Sequence, residues 1–467
     1  MRRVTLVYPG IVTCGFNSLG KGTMDSTWTN VGLAYIAAYL KKHGYKVDLI
    51  DLRACKDWSD VEDKIKKSKS KVIGIQFNTP NFNFASKCSE LAKKYKKITV
   101  AGGPHASIDP ESILKLGTVD YVIVGEGEIS FFELVQKIYN NKPIRNRIIY
   151  GKRVENLDEL PYPDFEIYKL NKILELNPDM PIIIMGSRGC YFQCAFCQPT
   201  IDKIFGKGVR HRSVENIIKE IKYIKKKYRT NYITFQDDTF TVNKKWVIDL
   251  CNKIINENLN IYWSAQSRVN TFDEEIAKHM SRAGCYMVFF GFESGSQRIL
   301  NLMRKGITPD QSIRAANICR KNKMLIFADY ILGNPTETIE DMRLTLELMK
   351  KIRPEIHSPT YFVPVPGTYL YEFCKENNLF SIKNYEDFAR NPIGKKIKNI
   401  DYEIVERYKN KILKYSTKWY QEKHFFKIKL RKWLLLFKKR KFNLLFKDII
   451  LSIISKKMLK FYIKYMK

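Results

Sequence analysis

Short apolar runs alternate with longer amphipathic stretches over the first third of the chain. The apolar runs predict strands at Val4–Tyr8, Lys46–Ile50, Val72–Gln76, Thr99–Ala101 and Tyr121–Val124. The stretches between them predict helices at Val31–Lys42, Asp60–Lys67, Phe84–Tyr95, Pro110–Leu116 and Ile129–Asn140. This α/β order predicts a doubly wound, Rossmann-like parallel sheet, whose ligands bind beyond the carboxyl ends of the strands.

A second alternating series begins at Pro181. It predicts strands near Ile182–Met185, Tyr232–Phe235, Ile261–Ala265, Met287–Phe290, Leu325–Leu332 and Ile356–Pro364. Helices are predicted near Ser213–Tyr228, Asn243–Glu257, Asp273–Arg282, Pro309–Lys321 and Thr336–Lys351. Such a series predicts an open (β/α)6 barrel with its chemistry at the carboxyl ends of the strands.

These patterns divide the chain into four regions. We expect an α/β domain at 1–145, a linker without sustained periodicity at 146–180, the partial barrel at 181–376, and a basic, helical C-terminal segment at 377–467. A chain of 467 residues is long enough for two or three domains, each with its own core.

Cysteine usage and hydropathy bear on the compartment. Ten cysteines without regular pairing, and no signal-like start after Met1-Arg2-Arg3, favour a reducing cytoplasm. No apolar run reaches the roughly 20 uncharged residues of a membrane-spanning helix. We therefore expect a cytoplasmic protein that does not span a membrane.

The formal net charge of +33 is unevenly distributed. Residues 421–467 carry 15 Lys and Arg residues against Glu422 and Asp448, interleaved with runs such as Trp433–Phe437. This composition is typical of a basic amphipathic helix on an anionic membrane surface. Ordinary helical packing and RNA binding are the alternatives, and we consider nucleic acid the least favoured partner because large aliphatic side chains serve it poorly. A lysine-rich background composition, which coats solvated helix faces, is the alternative explanation for part of this charge.

A cysteine-rich loop follows the first predicted barrel strand. Cys190, Cys194 and Cys197 lie in one short segment that starts with a Gly-rich turn. A tetrahedral zinc site or a complete cubane usually takes four protein ligands, so three thiolates predict an iron–sulfur cluster with one open iron. The alternative is that these cysteines pack as small hydrophobic residues.

The spacing of these cysteines, with Phe196 directly before the last one, resembles the motif of the radical S-adenosylmethionine (AdoMet) superfamily. The resemblance implies a [4Fe-4S] cluster held by Cys190, Cys194 and Cys197, with Phe196 beside the bound AdoMet. It also implies that the cluster reductively cleaves AdoMet to a 5′-deoxyadenosyl radical, with electrons from an external donor such as flavodoxin or ferredoxin.

Two further predicted strand ends extend the resemblance. Gln236 and Asp237 end the second barrel strand, where the family places the AdoMet methionine moiety; the alternative is an N-cap for the next helix. Glu293 and Ser294 lie in a Gly-x-Glu-Ser-Gly segment whose counterparts contact AdoMet in the family; the alternative is a capping box.

The fifth barrel strand ends in a segment that departs from the family pattern. Relatives have Gly-x-Pro-Gly-Glu, whereas this chain has Gly333-Asn334-Pro335-Thr336-Glu337. The resemblance implies that Gly333 contacts AdoMet, and Thr336 in place of glycine leaves the adenine-side contacts open. The likeness to this superfamily covers roughly 181–372.

The strand ends of the first predicted sheet are rich in glycine and proline, which either approach a large ligand closely or simply end strands. Together with the cysteine motif, they resemble the cobalamin-binding domain of cobalamin-dependent radical AdoMet enzymes. The implied cobalamin contacts are Tyr8, Pro9, Asn78, Thr79, Gly102, Gly103, Pro104, His105, Gly125, Glu126, Gly127 and Glu128. The sequence has no Asp-x-His-x-x-Gly motif, so the resemblance implies cobalt without a protein imidazole; His105 is either a ligand or a loop residue that hydrogen-bonds.

Cationic residues flank the cysteine loop. Arg188 precedes Cys190, and Arg210-His211-Arg212 opens the helix after the loop. These residues either stabilise an anionic cluster or the AdoMet carboxylate, or serve as structural or surface cations.

The favoured function is therefore a radical AdoMet enzyme that modifies an unactivated carbon of a small-molecule or lipid-like substrate by cobalamin-dependent methyl transfer. Alternatives are a cobalamin-dependent radical cyclase or rearrangement enzyme, and a methylthiotransferase-like tRNA modifier. A membrane-anchored cobalamin or iron–sulfur carrier or sensor is the non-enzymatic alternative. The tRNA modifier would need an N-terminal cluster, and Cys14, Cys55 and Cys88 lack the accompanying motifs.

Overall fold

The computed structural model of the chain describes residues 2–10, 12, 14–21, 24–390, 394–423 and 442, and it describes no side chains within 416–423. The predicted basic membrane-binding tail therefore lies almost entirely outside the described residues. The predicted helical C-terminal segment is described as far as residue 423.

The first α/β series forms one parallel sheet. Its elements are β1 (Arg3–Tyr8), α1 (Met24–Thr27), α2 (Val31–Lys42), β2 (Lys46–Asp51), α3 (Trp58–Lys67), β3 (Val72–Gln76), α4 (Phe82–Lys94), β4 (Ile98–Gly102), α5 (Pro104–Ile108), α6 (Pro110–Leu114), β5 (Tyr121–Val124), α7 (Glu128–Tyr139) and β6 (Ile148–Tyr150). The strand order is β2-β1-β3-β4-β5-β6 with parallel pairing throughout. The predicted doubly wound sheet is confirmed, with one additional strand at its edge.

That additional strand belongs to the segment that was predicted as a linker. β6 is only three residues long and has no buried residue, so it leaves no hydrophobic pattern in the sequence. The segment continues through α8 (Leu170–Leu176) and is anchored by buried side chains such as Phe165, Tyr168 and Ile173. The sequence did not predict these short elements, because isolated apolar residues become buried here without forming a periodic pattern.

The second series forms a six-stranded parallel sheet. Its elements are β7 (Ile182–Ile184), β8 (Ser187–Arg188), α9 (Thr200–Phe205), β9 (Arg210–His211), α10 (Val214–Tyr228), β10 (Tyr232–Phe235), α11 (Lys244–Asn256), β11 (Tyr262–Ser267), α12 (Glu274–Arg282), β12 (Cys285–Glu293), α13 (Gln297–Leu302), α14 (Pro309–Lys321), β13 (Leu325–Leu332), α15 (Ile339–Ile352), β14 (Ile356–Tyr361), α16 (Tyr369–Glu376) and α17 (Tyr402–Lys423). The strand order is β14-β13-β12-β11-β10-β7, so β7 and β14 are the two edges of an open barrel. The predicted (β/α)6 architecture is confirmed.

Local sequence signals account for the helix starts. The Asn30 side chain accepts the backbone N–H of Leu33 at 2.9 Å and caps α2. Thr308 and Gln311 form a capping box at the start of α14, with Pro309 in its first turn. The short ribbon of β8 and β9 and the short helices α9 and α13 carry too few residues for periodicity to reveal, and the sequence did not predict them.

The two sheets share one apolar core. A continuous cluster of buried side chains includes Phe131 from α7, Phe165 from the connector, and Phe235 and Phe290 from the barrel strands. Val405 and Ile412 of α17 are buried in the same cluster. Among the helices that the structure describes, none combines the length and apolar character that a membrane crossing requires.

Candidate functional site

The cysteine loop is closed at its base by the β8–β9 ribbon, in which Arg188 pairs with Arg210. Backbone hydrogen bonds fix the middle of the loop. The Ala195 N–H donates to the Met303 carbonyl at 2.7 Å, and the Leu370 N–H donates to the Ala195 carbonyl at 2.9 Å. The loop is therefore held between the end of α13 and the start of α16.

The three cysteine thiols have different neighbours. The Cys194 sulfur accepts a hydrogen bond from Arg268 Nη1 at 3.0 Å, and the Cys190 sulfur lies 3.9 Å from Thr239 Oγ1. Burial raises the pKa of the Cys197 thiol to about 12 and also raises that of Cys190. Such buried thiols ionise readily only when a metal replaces the proton.

This donor set fits a three-thiolate cluster. Within the described part of the chain, no three His, Cys, Asp or Glu side chains converge closely enough to hold a single metal ion. In a cluster each thiolate instead ligates its own iron, so the sulfurs need not converge on one point. The loop supplies three cysteines without a fourth in its segment, as an iron–sulfur cluster with one open iron requires.

Asp237 supports the base of the cysteine loop. Its carboxylate accepts the Ser187 hydroxyl at 2.5 Å and the Gly186 N–H at 3.1 Å. The side chain is fully buried, and this burial raises its pKa to about 6. Both oxygens are engaged by the segment that leads into the cysteines, whereas neighbouring Gln236 is half-buried.

Glu293 ends β12 in an unusual backbone conformation. Its φ is +62°, in the left-handed region, and the register with β13 shifts at this point. Its carboxylate forms a buried 2.8 Å ion pair with Lys305, whose ammonium lies 5.5 Å from the centre of the Phe196 ring. A Cβ on Gly291 would approach the Glu293 carboxylate to 2.3 Å, so glycine makes room for this pair. The strained backbone is typical of a ligand-binding position.

Ser294 was predicted to contact AdoMet but is engaged elsewhere, whereas Lys305 lies in the site without having been predicted. The Ser294 hydroxyl is fully buried and hydrogen-bonds Thr345 of α15 at 3.1 Å, which directs it toward the helix layer. Lys305 enters the site, although nothing in the sequence pattern predicts it. In a chain with 81 Lys and Arg residues, a single lysine in a loop carries no signal.

The segment after β13 is built around a buried glutamate. The Glu337 carboxylate accepts the backbone N–H of Asn334 at 2.8 Å, and burial raises its pKa to about 7. Gly333 has a φ of +76° and Thr336 a φ of +64°. Thr336 thus adopts the conformation for which relatives of the resembled family use glycine.

A cavity of about 400 Å³ lies at the carboxyl edge of the first sheet, against the cysteine loop. Of the predicted cobalamin contacts, Gly102, Gly103, Pro104, Gly125, Glu126, Gly127 and Glu128 line it. Its far wall comes from Met185, Arg188 and α9. Gln76 Oε1, also at the wall, is buried and has no hydrogen-bond partner among the described residues. Glycine backbone and an unsatisfied acceptor fit a large ligand that carries hydrogen-bond donors.

The other predicted cobalamin contacts, Tyr8, Pro9, Asn78, Thr79 and His105, are not among the described residues that line this cavity. His105 is buried, with Nδ1 3.0 Å from the Thr79 hydroxyl and Nε2 3.1 Å from the Ser112 hydroxyl. Burial lowers the pKa of His105 to about 4. Both ring nitrogens are occupied, so this geometry favours the hydrogen-bonding alternative over cobalt ligation.

Comparison with known proteins gives two matching family models. Residues 184–349 match the model described as radical SAM superfamily, and residues 18–135 match the model described as B12 binding domain. The two matches contain the cysteine loop and most of the cavity lining, respectively.

Relatives match across both halves of the chain. The chain is 34% identical over 405 residues to uncharacterized methyltransferase PH0819 of Pyrococcus horikoshii, covering 83% of this chain and 87% of the relative. It is 27% identical over 410 residues to the anaerobic magnesium-protoporphyrin IX monomethyl ester cyclase of Rubrivivax gelatinosus, covering 82% and 72%.

Two solved structures share the fold at low sequence identity. The radical S-adenosylmethionine methyltransferase TsrM from Kitasatospora setae, with cobalamin and a [4Fe-4S] cluster bound, is 16% identical with a TM-score of 0.65, covering 80% of this chain and 75% of that chain. The cobalamin-dependent S-adenosylmethionine radical enzyme OxsB, with aqua-cobalamin and S-adenosylmethionine bound, is also 16% identical with a TM-score of 0.69, covering 88% and 66%.

Proposed function

The chain belongs to the radical SAM enzymes that carry a B12-binding domain, and on that premise we propose that it transfers a methyl group to an unactivated carbon of a small substrate. Its cofactors are AdoMet, a [4Fe-4S] cluster and cobalamin. The observation that carries the proposal is that Arg188 and α9, on either side of the three cysteines, also form the far wall of the first-sheet cavity. The cluster with AdoMet on one side of this wall and cobalamin on the other would then act on the same substrate.

The proposal assigns the cluster to Cys190, Cys194 and Cys197, and the corrin to the cavity lined by 102–104 and 125–128. When bound, the cluster and AdoMet supply a radical that takes hydrogen from carbon, and cobalamin supplies the methyl group. Gln236 and Glu293 would contact AdoMet, with Lys305 holding the Glu293 carboxylate in place. The proposal divides the chain into a cobalamin-binding domain at 1–145, a connector at 146–180 that packs into the core, the radical AdoMet barrel at 181–376 and the C-terminal segment at 377–467.

The protein's own contribution is to hold the reacting groups in register and to exclude water. Asp237 fixes the start of the cysteine loop, and Arg268 donates to the Cys194 sulfur. The loop backbone is tied to α13 and α16. A rigid loop keeps the radical source at one distance from the substrate and so limits side reactions.

The barrel lumen offers the substrate an apolar floor and one carboxyl group. The rings of Phe289 and Phe327 are tilted by 34° to each other, and their centres are 4.6 Å apart. One layer closer to the carboxyl ends of the strands, Asp329 lies beside Ser358 of the adjacent strand. Burial raises the pKa of Asp329 to about 6, and the negative charge of Glu293 makes a smaller contribution in the same direction. We infer that a substrate packs on the two rings and donates a hydrogen bond to Asp329.

The test is reconstitution under anaerobic conditions with iron, sulfide and hydroxocobalamin. The wild-type protein should show cluster absorbance, bind stoichiometric corrinoid and, once reduced, convert AdoMet to 5′-deoxyadenosine. Changing Cys190, Cys194 and Cys197 to Ala should abolish the cluster absorbance, whereas Cys88→Ala, a buried thiol of α4, should retain it. A retained cluster in the triple variant would remove the central assignment.

A cyclase function is the second candidate, because the relative from Rubrivivax gelatinosus bears that name. Methyl-labelled AdoMet separates the two, once genes beside this one have narrowed the substrate class. Methyl transfer places the label in the product, whereas cyclisation leaves the product unlabelled. An unlabelled product that depends on the cysteines would favour the cyclase.

We further propose that flavodoxin or ferredoxin supplies the electron, and that the basic tail beyond residue 420 brings the enzyme to an anionic membrane and a lipid-like substrate. The charge of that tail supports the membrane part. Truncation after residue 420 should weaken sedimentation with phosphatidylglycerol vesicles in low salt and leave the weak binding to phosphatidylcholine vesicles unchanged. Equal binding of phosphatidylglycerol vesicles by the truncated and the full-length protein would favour the alternative that the tail packs as an ordinary helix.

A further inference from the structure

Two arginines of the β8–β9 ribbon bind two glutamates of the first α/β domain, Glu126 in the loop after β5 and Glu128 at the start of α7. Arg188 donates to Glu126 Oε1 and to Glu128 Oε1, both at 2.6 Å. Arg210, its partner across the ribbon, donates to Glu126 Oε2 at 2.9 Å. We name these four residues the interdomain clamp.

The interdomain clamp is buried and electrically balanced. Its side chains are between 2% and 7% exposed, with two positive and two negative charges. Burial alone raises the pKa of Glu126, but the Arg210 hydrogen bond and the Arg188 charge outweigh it and leave that pKa below its ordinary value. Glu126 therefore carries charge, and both glutamates bind arginine.

A buried ion pair is weak support for stability, since an apolar replacement is often as stable. What such a pair supplies well is one defined geometry, because bidentate arginine contacts fix both direction and distance. The Arg212–Glu220 ion pair is a useful comparison. It is equally buried, and Arg212 lies only two residues after Arg210, but Arg212 and Glu220 both belong to the barrel half and do not join it to the first domain.

The position of the interdomain clamp gives this geometry a purpose. Arg188 lies two residues before Cys190, and Glu126, Glu128 and Arg188 all line the first-sheet cavity. At the other end of the loop, Arg210 Nη2 donates to the Phe205 carbonyl at 3.0 Å and so holds the end of α9. The α9 residues Ile201, Ile204 and Phe205 form the cavity wall between these two anchors.

We propose that the interdomain clamp, with Arg188 as its central positioning residue, sets the distance and orientation of the cysteine loop relative to the cavity. This inference rests on the proposed function, because it concerns how the two cofactor sites face one substrate. Methyl delivery across the wall requires both sites in one arrangement and therefore depends on the clamp.

The test compares two conservative variants. Glu128→Gln removes one arm of the clamp and keeps the side-chain shape, while Glu220→Gln breaks the buried pair with Arg212 inside the barrel half. Hydrogen exchange on the purified protein should show at least tenfold faster exchange at residues 189–209 in Glu128→Gln and wild-type exchange there in Glu220→Gln. Arg188→Lys should behave like Glu128→Gln, because a single ammonium cannot bind both carboxylates in the same way.

A second measurement uses the protein loaded with a reduced cluster and cob(II)alamin, whose electron spins interact. Pulsed electron paramagnetic resonance should give a distance distribution at least twice as wide in Glu128→Gln as in wild type. Unchanged loop exchange, or equal changes in Glu220→Gln, would overturn the clamp. Failure of the wild-type protein to bind corrinoid would instead overturn the proposed function, and the exchange experiment would still decide the clamp.

Discussion

The thiol of Cys194 accepts a hydrogen bond of 3.0 Å from the guanidinium of Arg268. The same guanidinium lies 3.8 Å from the centre of the Phe192 ring and also donates to the Lys305 carbonyl. Arg268 follows β11, so this contact joins the third barrel strand to the cysteine loop. A fixed positive charge beside a cysteine ligand affects the electron affinity of whatever the cysteines hold.

We predict that Arg268→Gln lowers the midpoint potential of the reconstituted cluster by about 60 mV, the equivalent of roughly 1.4 kcal/mol for one electron. The physical reason is that reduction adds negative charge, which the guanidinium stabilises. Redox titration followed by electron paramagnetic resonance measures the shift. Arg304→Gln removes a nearby exposed arginine that lies over Tyr369 and serves as the control, with an expected change under about 15 mV. Equal potentials in all three proteins would show that the sulfur contact does not tune the site.

Thr336 supplies a prediction about stability. A β-branched residue with a φ of +64° is strained, and the hydrogen bond from Arg298 Nη1 to the Thr336 hydroxyl at 3.1 Å offsets only part of the cost. Thr336→Gly and Thr336→Ala both lose this bond, but only glycine relieves the backbone. We expect the Gly variant to be more stable than the Ala variant by about 1 kcal/mol in urea denaturation. The opposite order would mean that the left-handed conformation does not persist in solution.

The sequence predicted both sheets because each strand is a short apolar run between amphipathic helices. The exact bounds of β3, β5, β10 and β13 follow from such runs. β12 extends beyond its predicted range as far as Glu293, because pairing with β13 continues through glycine and charged positions that carry no hydrophobic pattern. By contrast, β6, β8 and β9 are two or three residues long, have no buried apolar run of their own, and depend on tertiary contacts.

The candidate site was predictable where a motif fixes spacing and was not where burial decides the partner. Cys190, Cys194 and Cys197 stand on one loop as the spacing predicts. Glu126 and Glu128 were expected to contact cobalamin, and their carboxylates bind Arg188 and Arg210 instead of pointing free into the cavity. Which cation meets a buried carboxylate depends on packing between residues far apart in sequence.

Glu337 predicts how stability varies with pH. Burial raises its pKa from the ordinary 4.5 to about 7, so the folded protein prefers the protonated form. Below pH 4.5, Glu337 is protonated in both the folded and the unfolded protein and does not reduce the free energy of unfolding. As the pH rises from 4.5 to 7, ionisation in the unfolded chain lowers the free energy of unfolding, and this decrease is complete above pH 7. Relative to wild type, Glu337→Gln should therefore gain on the order of 3 kcal/mol of unfolding free energy between pH 4.5 and pH 8. Denaturant titrations at several pH values measure this difference.

The control for that experiment is Glu340→Gln on α15. Glu340 is 60% exposed and pairs with Arg343, so its replacement should leave the free energy of unfolding nearly unchanged across the same pH range. If the difference in unfolding free energy between Glu337→Gln and wild type does not change with pH, Glu337 ionises as easily in the folded protein as in the unfolded chain.

Gly102 tests where the corrin binds. It ends β4 at the cavity, and a Cβ built on it meets no atom within 4 Å, so a side chain there enters open space. Gly102→Leu should fold normally and fill the cavity, lowering the affinity for hydroxocobalamin at least tenfold in equilibrium dialysis. Gly102→Ala adds a single methyl group and should keep the affinity within threefold. Because neither change touches the cysteine loop, cluster absorbance should persist in both, and unchanged corrinoid binding by Gly102→Leu would place the corrin outside this cavity.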